Sequence, residues 1–63
     1  MIININTADL YQLCKLDGIG ESTARKIVEY RTKNGGFKST KELTKIKGIG
    51  KSKFEEIKDK IKV

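Results

Sequence analysis

Leu13-Cys14-Lys15-Leu16-Asp17-Gly18-Ile19-Gly20-Glu21-Ser22 reappears thirty residues later as Leu43-Thr44-Lys45-Ile46-Lys47-Gly48-Ile49-Gly50-Lys51-Ser52. Leu, Lys, Gly, Ile, Gly and Ser coincide, Leu16 lies over Ile46, and further on Ile27 lies over Ile57. Self-similarity at a fixed spacing marks a duplicated structural unit. The chain therefore reads as two copies of one unit, each centred on Gly-Ile-Gly.

The flanks of each Gly-Ile-Gly carry helical spacing. Leu10, Leu13 and Cys14 fall on one face, which makes Cys14 a small buried hydrophobe. Asn6 or Thr7 is placed to cap that helix, with Asp9 in its first turn. Ala24, Ile27, Val28 and Arg31 follow the i, i+3, i+4, i+7 pattern of a second helix. Asn34-Gly35-Gly36 suits the C-cap of that helix and a connector, and Phe37 then plugs between the units. Ser39 and Glu42 form a capping box for a third helix. Ser52 and Glu55 form another for a fourth, with Phe54, Ile57 and Ile61 as its core face. Tyr11 and Tyr30 read as partly buried packing residues on their helices. The pattern is helix–turn–helix, connector, helix–turn–helix, all-α, with no convincing strand.

Both glycines of each turn permit positive φ and close approach of another backbone. The isoleucine between them turns inward as an anchor. A helix starts at once, so unpaired N–H groups and the positive dipole end face outward and suit an anion. A turn that merely joins two helices is the plainer alternative, and two copies in the same frame weigh against it. A dinucleotide-binding motif needs a preceding strand and a third glycine; position 23 is Thr23 and no strand precedes. A P-loop fails for want of its Gly-Lys-Ser/Thr.

Sixty-three residues make one domain, residues 1–63, whose core only just offsets chain entropy. Such a chain does not enclose the ~300–1,000 Å³ of a usual catalytic cleft. Histidine is absent and cysteine occurs once, which removes His-based acid–base work, a Cys–His nucleophile and a Cys/His zinc site. No metal site, internal disulfide or bilayer-spanning run is expected, and the protein reads as a binding module rather than an enzyme. The formal charge is +6. Residues 1–31 balance to zero, so the whole excess lies in residues 32–63, with ten basic residues against four acidic. A charge confined to one half points to an anionic partner. Twelve of the fourteen basic residues are lysine, which meets phosphate as a point charge and does not fork onto a base edge.

Ile5-Asn6-Thr7-Ala8, Leu16-Asp17-Gly18-Ile19-Gly20, Ala24, Ile27, Tyr30-Arg31, Asn34-Gly35-Gly36-Phe37 and Gly48-Ile49-Gly50 together resemble the tandem helix-hairpin-helix domain of the ComEA family of competence proteins. The likeness runs from about Ile3 to Ile61. It implies a compact all-α, four-helix, SAM-like domain, with motif one at about 7–33 and motif two at about 39–62. It also implies sequence-independent binding of double-stranded DNA, each hairpin gripping the phosphates of one strand across the minor groove, in the service of DNA uptake. The residues it marks for contact are Gly18, Ile19, Gly20, Ser22 and Lys26 in the first copy. In the second they are Lys47, Gly48, Ile49, Gly50, Lys51, Ser52 and Lys53. The contacts come from the glycine amides, with Ser22 and Ser52 as hydroxyl donors or plain caps. It implies no cofactor beyond a monovalent cation that can sit between hairpin carbonyls and a phosphate.

The family often has proline before the first glycine; Asp17 and Lys47 stand there instead. Asp17 and Glu21 put two carboxylates beside the first hairpin, so the second, with Lys47, Lys51 and Lys53, is expected to dominate. A monomer with no membrane contact of its own is expected. An extracellular or periplasmic place goes with a competence receptor, and a cytoplasmic one with a chain complete as it stands. The rivals are a protein–protein docking or structural module, motivated by Asp17 and Glu21, and an RNA-binding variant.

Overall fold

A computed structural model describes all residues, Met1–Val63. Strand β1 (Ile3–Asn4) leads to helix α1 (Leu10–Leu13) and the long helix α2 (Glu21–Asn34). A 3-10 helix, Thr40–Lys45, precedes helix α3 (Lys51–Ile57), which tightens into a 3-10 turn over Lys58–Lys60 before strand β2 (Ile61–Lys62). The chain is mostly helical, and the duplication is visible as two short-helix–turn–helix units. No helix is long and apolar enough to cross a membrane.

Fifteen apolar residues make one core, and no polar side chain is buried with them. Leu13, Leu16 and Ile19 supply the first copy's half of the inward turn, and Leu43, Ile46 and Ile49 the second's. Their spacing of three has a backbone cause. Leu16 N–H donates to the Leu13 carbonyl and Ile19 N–H to Leu16 (both 3.1 Å); Ile46 donates to Leu43 and Ile49 to Ile46 (both 3.0 Å). Steps of i→i+3 eclipse residues three apart, so each apolar side chain stands over the last. The residues between, including both Gly-Ile-Gly glycines, are left exposed.

Several local expectations are corrected. The termini form a two-stranded parallel sheet, Ile3 opposite Ile61 and Asn4 opposite Lys62, closed by Ile5 N–H to the Lys62 carbonyl at 2.9 Å. Two-residue strands carry no period-2 run, so sequence pattern alone does not separate Ile61 from the end of a helix. Asp9, directly before Leu10, caps α1 in a capping box with Gln12. Asn6 acts elsewhere: its amide accepts from Phe37 N–H (2.6 Å) and donates to the Phe37 carbonyl (3.0 Å), latching the N-terminal turn to the connector. Cys14 and Tyr11 are exposed, because α1 ends before its face is covered. The Ser52–Glu55 box does not form. Gly50 holds the N-cap of α3, and Glu55 pairs with Lys58 at 2.8 Å, which lowers the Glu55 pKa.

The connector follows its chemistry. Gly35 ends α2 in the left-handed region at φ 74°, where only glycine is unstrained, and its N–H returns to the Arg31 carbonyl. Phe37 is buried and stacks on Tyr30, with ring centroids 4.8 Å apart. The Tyr30 hydroxyl donates to Glu42 at 3.1 Å. Glu42 completes the expected box with Ser39 and accepts the Lys38 and Ser39 amides. Those two amide bonds hold its carboxyl below the ordinary value of 4.5, with the Tyr30 hydroxyl adding to them. A carboxyl with a lower folded pKa contributes stability that is complete above its unfolded value and is lost as pH falls through the folded one. We therefore expect stability to decline as pH drops below 4.5, and Glu42→Gln to flatten that decline. Urea titrations between about pH 7 and about pH 3 measure it, and an unaltered acid limb would count against the Glu42 contribution.

Candidate functional site

Each hairpin is a staircase of three buried residues that stops at a glycine pair. The first glycine carries the turn: Gly18 at φ 79° and Gly48 at φ 102°. The second is different from the expectation of positive φ at both. Gly20 (φ −93°) and Gly50 (φ −89°) are extended N-caps of α2 and α3, with no side-chain cap bond. Ile19 and Ile49 point inward as anchors, and their amides are donated to Leu16 and Ile46. Main-chain donors for an anion are therefore the glycines and the first residues of the next helix. The amides of Gly18, Gly20, Gly48 and Gly50 make no hydrogen bond within the protein, nor do those of Ser22 and Ser52. Ser22 and Ser52 are exposed and cap nothing.

The backbone difference within each pair separates two substitutions. Gly48→Ala puts a side chain at φ 102° and is expected to cost about 1–2 kcal/mol. Gly50→Ala keeps an ordinary φ, its Cβ meets no atom within 4 Å, and it should cost under about 1 kcal/mol. Thermal or urea unfolding of both variants checks the order; equal losses would contradict the assigned geometry.

The two hairpins lie side by side, each touched by the helix that follows the other. Lys53, third residue of α3, sends its ammonium 3.1 Å from the Gly18 carbonyl. Thr23, third residue of α2, brings its hydroxyl oxygen 3.4 Å from where a Gly48 Cβ would stand. Thr23 lies over Lys53 in the same thirty-residue shift that reveals the duplication. Lys26 and Lys47 line one shallow depression with Lys33, Glu29 and Tyr30. Lys26, Lys47 and Lys51 are in no ion pair.

The carboxylates beside the first hairpin do not stand alone. Lys60 reaches Asp17 at 3.5 Å, and Arg25 meets Glu21 at 3.3 Å. These pairs are exposed and contribute little to stability. They do reduce the negative field at the turn, so the contrast between the hairpins is smaller than their sequences suggest. Neither the Lys53 contact nor the Lys60 pairing is legible in the chain, since both join residues more than thirty-four positions apart.

The monovalent cation implied by resemblance can be tested against these residues. At the first hairpin the Gly18 carbonyl already accepts from the Lys53 ammonium. An inorganic cation on that particular oxygen would face a like charge at short range.

Comparison with known proteins agrees with this architecture. The family model for the helix-hairpin-helix motif matches residues 1–62. ComE operon protein 1 of Bacillus subtilis is 45% identical over 62 residues, covering 98% of this chain and 30% of that protein. Endonuclease/exonuclease/phosphatase family domain-containing protein 1 of Homo sapiens is 44% identical over 59 residues, 94% of this chain and 10% of that one. A Haemophilus influenzae protein without an assigned function is 43% identical over 60 residues, 94% and 54% of the two chains. The chain thus spans about half, or much less, of these relatives.

Proposed function

The chain belongs to the helix-hairpin-helix family, with a domain of the ComEA type, and on that premise we propose that it binds double-stranded DNA without regard to sequence. Two adjacent turns whose glycine amides have no partner in the protein, with Lys26, Lys47 and Lys51 unpaired around them, carry this proposal. Amides and lysines meet phosphate oxygens, which are the same in every sequence. Each hairpin takes the phosphates of one strand across the minor groove, and a single copy of the domain suffices. The domain acts by binding, not by catalysis. Its service in the whole protein is to hold duplex DNA for uptake, as in competence proteins of this type.

The test is a titration of unrelated duplexes of equal length at several salt concentrations, beside single-stranded DNA and structured RNA. With ~4–6 phosphates neutralised, log K should fall against log salt with a slope of roughly −4 to −5, alike for all duplexes. A strong sequence preference, a flat salt response, or tighter binding to RNA would reject it. In a parallel NMR titration, unmoved resonances at both Gly-Ile-Gly turns would favour a docking module instead.

A further inference from the structure

The contact between Lys53 and Gly18 joins residues thirty-five positions apart and belongs to neither motif alone. Lys53 leaves the first turn of α3, beside the second hairpin, yet its Nζ and Cε lie 3.1 and 3.0 Å from where a Gly18 Cβ would be. The lysine is partly covered, while its hydrogen bond to the Gly18 carbonyl lies exposed. The Gly18 carbonyl accepts no other hydrogen bond. At the matching place in the second hairpin stands Thr23, a neutral hydroxyl, and the Gly48 carbonyl accepts no bond at all. The two turns are alike in backbone and unlike in chemistry: one has a cation tethered to its carbonyl, the other has none.

We propose that Lys53 is the resident cation of the first hairpin. One ammonium proton stays on the Gly18 carbonyl, and the other two face a phosphate oxygen held by the Gly18 and Gly20 amides. An ammonium has three donors and no acceptor, so one carbonyl and a phosphate suit it together. In this way a lysine of the second motif offsets Asp17 and Glu21 beside the first. Phosphate binding there is indifferent to the identity of the monovalent ion in solution. Lys53 is a phosphate contact of the first hairpin, although it follows the second in the chain. This rests on the phosphate-binding reading above.

Two measurements separate the parts. The first uses no DNA. Potassium chloride is exchanged for tetramethylammonium chloride at constant ionic strength while the Gly18 carbonyl carbon resonance is followed. It should stay fixed in the wild-type chain and become potassium-sensitive in Lys53→Met, which keeps the apolar stem. A potassium-specific shift at wild-type Gly18 would overturn the proposal. The second is duplex affinity. Lys53→Met should bind roughly 3- to 10-fold more weakly, with a salt slope shallower by about one, while Lys53→Arg stays within about twofold. Undiminished binding by Lys53→Met overturns this proposal and leaves the phosphate-binding reading intact. A wild-type chain that fails to bind any duplex overturns that reading and the phosphate role of Lys53 with it.

Discussion

Ile49→Ala should remove about 2–5 kcal/mol of folding stability, as the loss of a fully buried branched side chain does. At roughly 0.05–0.15 kcal/mol per residue, a chain of 63 residues holds only about 3–9 kcal/mol. One side chain between two exposed glycines therefore accounts for around half of what keeps the domain folded. The cause is the staircase. Ile49 is the last of three stacked apolar residues, and the turn has no side-chain cap or ion pair of its own to replace that anchor. Ile49→Val, which removes one methylene, should cost only about 1 kcal/mol. Urea titration with an unchanged m-value gives both numbers. A loss below about 1 kcal/mol for Ile49→Ala would mean that the hairpin is held by something other than the core.

That anchor was legible in the chain, and so was most of the frame around it. The thirty-residue shift and the inward isoleucines could be read because they depend on sequence-local geometry: glycine at a turn, apolar residues at regular steps, a helix starting at once. The Ser39–Glu42 box and the Gly35 cap were legible for the same reason. What escaped was set by tertiary pairing. Ile61 is apolar in either a helix or a strand, and only the presence of Ile3 beside it decides for the strand. Asn6 had a good capping partner in principle and a better one, thirty-one residues away, in Phe37. Cys14 satisfied the helical spacing, but a four-residue helix has too little length to cover that flank. Around the site, a count of charges near each Gly-Ile-Gly gives Asp17 and Glu21 an effect that Arg25 reduces from within the first motif, and Lys60 and Lys53 from outside it.

This redistribution changes how the proposed DNA-binding face should be probed. Lys60 stands against Asp17 at the first hairpin, so it is no neutral control. Lys41 lies in the first turn of the Thr40–Lys45 helix and Lys38 just before its cap, at the end away from Lys47, and together they give a better one. The double change Lys47→Glu with Lys51→Glu reverses two unpaired charges flanking the second turn. Each full unit of charge near a phosphate is worth somewhat under about 1 kcal/mol in screened solvent, and four units are exchanged. Duplex affinity should fall by about 2–3 kcal/mol, or roughly 30- to 150-fold. Lys38→Glu with Lys41→Glu alters net charge by the same amount, so the long-range attraction drops equally in both variants. Any difference between them then measures proximity to the phosphates alone. The control should lose no more than about fivefold at physiological ionic strength, where charges beyond ~8 Å are largely screened. Equal losses in the two variants would show that DNA is drawn to the domain as a whole, and the twin hairpins would have no claim to be its binding face.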